Sequence, residues 1–400
     1  MPRTLTFPSG FWWGAATAAH QIEGGNDNSD WWQFELAPGT RCAEPSGTAC
    51  DSWNRWETDA DLVAGLGLNA YRFSVEWARI EPEPGRFDTA VLDRYARQCE
   101  GLRERGVEPM VTLVHFTLPQ WIAEAGSWQD EETAKRFATY AEKVTAHLGD
   151  RVGHYFTLNE PNVIAALGWY QGRYPPGVTD DLAQSWTAHE QQRTAHRLGV
   201  AAIRAAAPHA KVGLTLSMDD WIPVDDEAAP MAKAIAGAME DPYIRMVAEL
   251  GDDYVGVQCY TSTYVGPEGP IDPPPGTETN QLGYPYTPEA LAKCVARTWE
   301  TGEHKVTPIV TEHGNCTDDD TRRIAMIREA LPHLHDVIES GVPVLGYFHW
   351  SLLDNFEWDL GYEPKLGLIA VDRTTFARTP KPSAAYYSAI ARANAIEVGT

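Results

Sequence analysis

Short apolar runs rich in β-branched and aromatic residues recur along the chain and alternate with longer stretches rich in Ala, Arg, Glu and Leu. Short runs of this kind are typical of buried strands, and the longer stretches have the length and composition of helices. The predicted strands are Phe11–Ala16, Ala70–Val75, Pro109–Val114, Tyr155–Leu158, Val212–Leu216, Tyr254–Val257, Pro308–Thr311 and Val344–His349. Repeated strand-then-helix units favour a parallel sheet, so eight of them predict an α/β protein with a closed (β/α)8 TIM barrel.

The stretches between the strands predict the helices of the barrel. The clearest are Ser52–Leu66, Val91–Arg105, Glu131–Leu148, Leu182–Ala207 and Arg322–Ser340. A length of 400 residues would by itself allow about two or three domains, so the strand count has to decide. The Pro- and Gly-rich segment Gly266–Pro288 has the composition of a linker, but strand patterns continue after it. We therefore interpret it as a barrel loop and residues 1–400 as a single barrel domain.

Polar residues follow the predicted strand ends. They are Gln21, Arg72, His115, Asn159, Glu160, Tyr260, Glu312 and Trp350. In a (β/α)8 barrel the carboxyl ends of all eight strands meet at one face, which carries the active site. A doubly wound open sheet would instead be expected to carry a Gly-rich phosphate turn near its start, and we find no convincing one.

Charge and cysteine content exclude several classes of function. A formal net charge of −24 argues against nucleic acid as a partner, because binding a phosphate backbone requires clustered Lys and Arg. The sequence has no run of about 18 apolar residues and no signal-peptide pattern, so we expect a cytoplasmic protein that does not bind membranes. The six cysteines show no metal-ligand spacing, and whether Cys42 and Cys50 form a disulfide is left open.

Two carboxylic acids at predicted strand ends are candidates for acid chemistry. Glu160 follows Asn159 and precedes Pro161, and because proline excludes the right-handed helical conformation before it, we expect Glu160 to be held extended. Glu312 follows an apolar strand, and Arg72 and Tyr260 are suitable donors to its ionised form. Cleavage of a glycosidic bond by two carboxyl groups requires one protonated and one ionised acid. The pair is therefore a candidate for this chemistry.

The chain resembles glycoside hydrolase family 1, the β-glucosidase and β-galactosidase family, nearly end to end. The resemblance is carried by Phe7–Phe11 (FPSGF), Trp13–Ala18 (WGAATA), Gln21–Gly24 (QIEG), Arg72–Trp77 (RFSVEW), Thr157–Pro161 (TLNEP), Thr311–Gly314 (TEHG) and Trp350–Trp358 (WSLLDNFEW). It implies a retaining β-glycosidase with Glu160 as general acid/base and Glu312 as nucleophile. The substrate would be a β-glycoside or a small oligosaccharide, most simply a β-glucoside, with β-galactosides or β-fucosides as further substrates.

The resemblance also implies which residues bind the sugar. These are Gln21, His115, Asn159, Gln258, Trp350, Glu357 and Trp358. A carboxylate at Glu357, near the sugar's 4- and 6-hydroxyls, would repel a 6-phosphate, so unphosphorylated sugars are expected.

The sequence departs from the usual family pattern at several positions. Gln258 and Cys259 stand where Asn-Tyr is usual, Phe116 replaces a tryptophan and His313 replaces an asparagine. We expect Phe116 and His313 to alter hydrogen bonding around the sugar. Sugar preference is therefore less strongly predicted than the type of reaction.

Two alternative functions differ from hydrolysis. A catalytically silent sugar-binding protein on the same barrel is disfavoured because both Glu160 and Glu312 are present. A transglycosylase shares the first chemical step, and the sequence does not separate it from a hydrolase. No metal or organic cofactor is predicted, because the two carboxyl groups supply the chemistry. The sequence leaves the oligomeric state open.

Overall fold

The structure, a computed structural model, describes residues 3–399 and contains a closed barrel of eight parallel strands. The barrel strands are β1 (Trp12–Ala16), β2 (Ala70–Ser74), β3 (Glu108–Val114), β4 (His154–Asn159), β5 (Lys211–Ser217), β6 (Tyr254–Gln258), β7 (Thr307–His313) and β8 (Gly346–Trp350). Each strand pairs in parallel with the next along the chain, and β8 pairs with β1. The predicted (β/α)8 barrel is confirmed.

Helices follow the strands and cover the outside of the barrel. Their bounds are Ala19–Ile22, Asp30–Leu36, Ser52–Gly65, Trp77–Ile80, Thr89–Glu104, Gln120–Glu124, Glu131–Leu148, Pro161–Trp169, Leu182–Ala206, Ala229–Met239, Asp241–Leu250, Ala290–Thr301, Asp320–Glu339 and Pro382–Ala393, with 3-10 turns at Ser127–Gln129, Gly149–Arg151 and Trp358–Leu360. The five predicted helices are present, with ends shifted by at most two residues. The largest strand differences are also two residues: β7 ends at His313 rather than at Thr311, and β8 begins at Gly346 rather than at Val344.

Alternate residues along the strands divide the apolar side chains between two cores. Those facing inward form a compact cluster inside the barrel, which includes Met110, Phe156, Tyr254 and Phe348. Those facing outward pack against the helices in a much larger core. The guanidinium of Arg72 lies 5.2 Å above the Phe156 ring, so the inner cluster packs directly against the polar residues of the barrel interior.

Short strands complete the fold outside the barrel. Arg3–Thr6 pairs with Ala395–Val398, and Ile369–Val371 pairs with Arg378–Pro380. A three-stranded sheet of Asp220–Pro223, Ser262–Gly266 and Gly269–Pro270 lies beside the carboxyl ends of β5 and β6. The segment Gly266–Pro288 continues from this sheet and falls between β6 and β7, as expected for a barrel loop.

Two further sequence expectations concern membranes and cysteines. None of the helices within residues 3–399 is long and apolar enough to cross a membrane. All six cysteines are free thiols, Cys42 and Cys50 included, and Cys42 alone is not fully buried.

Candidate active site

The carboxyl ends of the strands surround a cavity of about 400 Å³. Of the residues predicted for the site, His115, Glu160, Tyr260, Glu312, Trp350, Glu357 and Trp358 line it. Side chains from five different strands or strand-end loops thus converge on one space, although more than 240 positions separate His115 from Trp358. A closed barrel produces this convergence because all its strands point the same way.

Glu312 lies near the end of β7 and is held by three side-chain donors. Arg72 Nη1 donates to Oε1 at 2.6 Å, Gln258 Nε2 donates to the same oxygen at 2.7 Å, and Tyr260 Oη donates to Oε2 at 2.6 Å. The turn after Glu312 requires glycine, because a Cβ at Gly314 would lie 2.1 Å from the Trp350 carbonyl oxygen. Donors of this kind favour the ionised carboxylate.

Glu160 follows β4 directly and caps the helix Pro161–Trp169. Its backbone is left-handed, with φ 44° and ψ 57°, so the predicted extended conformation is wrong. Proline excludes the right-handed helical region before it, but the chain must reverse from strand to helix within one residue, and the left-handed conformation does this. The backbone N–H of Glu160 donates to the Thr215 carbonyl at 2.9 Å, which ties the turn to β5.

The Glu160 carboxyl group is bound differently from that of Glu312. Within residues 3–399, no side chain or backbone group donates a hydrogen bond to it, although only 8% of the residue is exposed. Burial, followed by the charge of Glu312, raises the pKa of Glu160 well above its usual value. Burial also raises the pKa of Glu312, but Arg72 and Tyr260 oppose that shift. The two acids therefore differ in their support for the charged form.

Asn159 lies behind the cavity wall at the centre of a buried hydrogen-bond network. Its Oδ1 accepts from Arg72 Nη2 at 2.6 Å and from Gln258 Nε2 and Thr215 Oγ1, both at 2.9 Å. Its Nδ2 donates to His115 Nε2 at 3.1 Å. Arg72 and Gln258 therefore each join Asn159 to Glu312.

Three of the predicted sugar-binding residues, Gln21, Asn159 and Gln258, are fully buried and do not line the cavity. Gln258 has one methylene more than the asparagine that is usual at this position, and its amide donates to Glu312 and Asn159. Gln21 donates to the Phe356 carbonyl at 2.7 Å and to Glu357 Oε2 at 3.4 Å, and its own Oε1 has no partner among the described residues.

Aromatic side chains and one carboxyl group form the inner end of the cavity. The His115 ring lies nearly parallel to Trp350, with centroids 5.6 Å apart, and to Trp358, at 6.0 Å. Burial lowers the pKa of His115 well below its usual value, so the ring is neutral. Burial, then the charge of Glu312, raises the pKa of Glu357 to about 8. This end combines flat apolar faces with a few polar atoms, as carbohydrate sites do.

The two unusual residues Phe116 and His313 are placed differently. Phe116 lines the cavity and packs on Trp358 with centroids 4.9 Å apart. His313 does not line it, because successive residues of a strand point to opposite sides and Glu312 occupies the inner one. Its Nδ1 instead pairs with the Tyr347 hydroxyl at 2.8 Å. The expectation that His313 alters hydrogen bonding around the sugar is therefore wrong.

Sequence reasoning missed the other end of the cavity. It is lined by Asp219, Trp221, Glu240, Arg173 and Tyr284, among others. Asp219 lies just beyond β5, so the same rule that selected Glu160 after β4 would have found it. Trp221 comes from the short strand Asp220–Pro223, and the others come from helix ends and from loops whose paths have no simple sequence pattern.

Across residues 3–399, no three His, Cys, Asp or Glu side chains are grouped so that they could hold a metal ion.

The arrangement of two buried carboxyl groups on one barrel face agrees with the similarity of this chain to known proteins. Residues 3–255 and 274–396 match the family model described as Glycosyl hydrolase family 1. The chain belongs to glycosyl hydrolase family 1. The unmatched stretch 256–273 contains Gln258 and Cys259, where the sequence departs from the usual family pattern.

Individual family members are similar over almost their whole length. The thermostable β-glucosidase B of Thermobispora bispora is 35% identical, over 99% of this chain and 92% of that protein. The bifunctional β-D-glucosidase/β-D-fucosidase of Bifidobacterium breve is 33% identical, over 96% and 98%. The β-glycosidase structure from Pyrococcus horikoshii has a TM-score of 0.92 at 31% identity, over 99% and 96%. As a family 1 member the protein is a glycoside hydrolase, and the family acts on β-linked sugars with retention of configuration.

Proposed function

We propose that this protein hydrolyses terminal, non-reducing β-D-glycosyl residues, chiefly β-D-glucosides, with Glu312 as nucleophile and Glu160 as general acid/base. The observation that carries the proposal is the contrast between the two carboxyl groups in one cavity. Glu312 accepts three hydrogen bonds that favour its charge, and Glu160 accepts none from the described residues and has its pKa raised well above normal. Retaining glycosidases require this division into ionised nucleophile and protonated acid.

The reaction proceeds in two displacements. Protonated Glu160 donates its proton to the departing glycosidic oxygen while a Glu312 oxygen attacks the anomeric carbon, giving a covalent glycosyl-enzyme. Once Glu312 is esterified its charge is gone, so the pKa of Glu160 falls and its carboxylate can take a proton from water. The water then attacks the anomeric carbon, Glu312 leaves, and the two inversions give net retention.

The inner end of the cavity binds the sugar in this proposal. His115 lines the cavity, and its Nδ1, which has no partner among the described residues, supplies a donor for sugar hydroxyls. Gln21, which does not line the cavity, acts by positioning Glu357 through its hydrogen bond. Trp350 and Trp358 offer aromatic faces to the C–H surface of the ring. Asn159 and Gln258 act mainly on the nucleophile and on Arg72 rather than on the substrate. Glu357 binds outer hydroxyls and disfavours a phosphorylated sugar when ionised.

Two features of the chain support the range of substrates and the extent of the catalytic unit. The β-glucosidase and the β-glucosidase/β-fucosidase relatives align over nearly all of this chain, which supports glucose first and fucose next. Residues at the carboxyl ends of β3 to β8 contribute to this cavity. We therefore propose that the chain acts as a single catalytic domain.

The test is turnover of matched nitrophenyl glycosides followed by NMR of the first-formed sugar. We expect release of nitrophenol from the β-D-glucoside, slower or equal release from the β-D-fucoside and β-D-galactoside, and none from the α-D-glucoside. The hemiacetal first detected should be the β-anomer. Initial release of the α-anomer would contradict the assignment of Glu312 as nucleophile, and no turnover of any β-glycoside would overturn the proposed function.

A further inference from the structure

Several residues that line the cavity have no part in the proposed reaction. We call the part of the cavity that they line the outer half and define it by Val163, Ala166, Leu167, Asp219, Trp221, Met239 and Leu282. It adjoins Glu160, the residue that would protonate the leaving oxygen, so a group that departs with that oxygen occupies this space.

One wall of the outer half is apolar. Val163, Ala166 and Leu167 lie on a single face of the helix Pro161–Trp169, because residues three and four positions apart on a helix are neighbours. They are partly exposed, whereas Ile164 and Ala165 between them are buried. Met239 and Leu282 are two further apolar residues that line the cavity. Apolar side chains left open inside a cavity favour a ligand with an apolar face.

Apart from Glu160, Glu312 and Glu357, the charged residues that line the cavity are paired, with one exception. Arg173 donates to both oxygens of Asp359, at 2.9 and 3.1 Å. Glu240 is paired with Arg297 and accepts from Trp221 Nε1 at 2.9 Å. Both carboxylates are therefore neutralised by a partner.

Asp219 is the exception. Its Oδ2 accepts from the Thr263 hydroxyl at 2.9 Å, and Arg297 reaches only its backbone oxygen, at 3.2 Å. None of the ion pairs among residues 3–399 includes Asp219. Asp219 lines the same cavity as Glu160, and its charge adds to the causes that raise the pKa of Glu160.

We propose, on the basis of the function proposed above, that the outer half selects aglycones that are flat, apolar and carry a hydrogen-bond donor or a positive charge toward Asp219. An anionic aglycone is disfavoured, because it would place a second negative charge near an unpaired carboxylate in a space shielded from water. The contacts made there begin in the ground state and persist as the bond breaks, so they affect kcat/KM.

The experiment compares three aryl β-glucosides that differ only at the meta position. The substituents are aminomethyl, hydroxymethyl and carboxymethyl, whose methylene group keeps the three leaving phenols similar in acidity. For the native protein we expect kcat/KM to fall in that order, with about a tenfold span between the first and the last. In Asp219→Asn the span should shrink to about threefold or less, and Asp219→Ser should do the same.

Asp220→Asn is the matched control. It changes the net charge by the same amount next door, but Asp220 is paired with Lys293 at 2.7 Å and does not line the cavity. We expect it to keep the native span. Equal kcat/KM for all three substrates with the native protein would overturn the selectivity, and an unchanged span in both Asp219 variants would overturn the assignment to Asp219. If no β-glucoside were hydrolysed, the proposed function itself would fail, which is a different result from turnover without discrimination.

Discussion

Glu312 and Glu160 lie at the same face of the barrel, and the strands that they follow look alike in sequence. The hydrogen bonds that their carboxyl groups accept are nevertheless different. Glu312 accepts from Arg72, Gln258 and Tyr260, whereas the Glu160 carboxyl accepts from none of the described residues. Burial raises the pKa of both, but only Glu312 has this set of donors to oppose it. The comparison shows that the barrel brings the acids together and that their neighbours decide which one stays ionised.

Removing the Glu312 carboxylate should cause the largest loss of activity. We expect Glu312→Ala to lower kcat/KM for β-glucosides by roughly 10⁴-fold or more, because no other group can form the covalent intermediate. Azide should restore turnover and give the α-glycosyl azide, identified by NMR. A β-configured azide product, or activity close to the native value in a variant with unchanged thermal unfolding, would contradict the nucleophile assignment.

Removing Glu160 should have a smaller effect that depends on the leaving group. Glu160→Ala should lower kcat/KM by about 10²- to 10⁴-fold for alkyl β-glucosides, which need protonation, and by much less for dinitrophenyl β-glucoside. The measurement is the dependence of kcat/KM on leaving-group pKa, which should steepen. Azide should now give the β-glycosyl azide, the opposite anomer from the first variant. Equal losses for both kinds of substrate would exclude Glu160 as the acid.

Removing one of the hydrogen bonds to Glu312 tests whether these donors keep its carboxyl group ionised. Tyr260→Phe removes one hydrogen bond that lowers the pKa of Glu312, so that pKa should rise and the acidic limb of the kcat/KM profile should move to higher pH. At its optimum the variant should be about 10²-fold slower.

Tyr347→Phe is the control, because Tyr347 is a buried tyrosine that bonds His313 instead of Glu312. Its acidic limb should stay where it is in the native protein. If the limb moved in Tyr347→Phe but not in Tyr260→Phe, the assignment of the limb to Glu312 would be lost.

The smallest expected effect concerns Glu357 and the stability of the folded protein. Its pKa of about 8 exceeds the usual 4.5, so the folded protein binds more protons than the unfolded chain between these values. The free energy of unfolding should therefore fall with rising pH through this window, and Glu357→Gln should remove that part of the fall. Between pH 5 and pH 8 the native protein should lose about 3 to 4 kcal/mol relative to the variant in urea unfolding. A constant difference would show that Glu357 is already ionised at pH 5.

The fold and the inner site were largely predictable from local patterns. Eight short apolar runs predicted the barrel, and acids placed after strand ends predicted Glu160 and Glu312 in one cavity. The left-handed backbone of Glu160 was not predicted, since proline excludes one conformation without choosing among the rest. Gln258 was expected at the sugar, and only the closed barrel, in which β6 lies between β5 and β7, places its side chain between Asn159 and Glu312.

The sequence by itself determined the barrel, the family resemblance and the two acids, because each of these is written in residues that are neighbours along the chain. Only the tertiary structure decided which acid is surrounded by donors, that His313 faces away from the cavity, and that Asp219 stands without an ion pair in the outer half. Those outcomes depend on distances between side chains from different strands and on how much water they retain. Burial and long-range pairing set charge, and no local pattern encodes them.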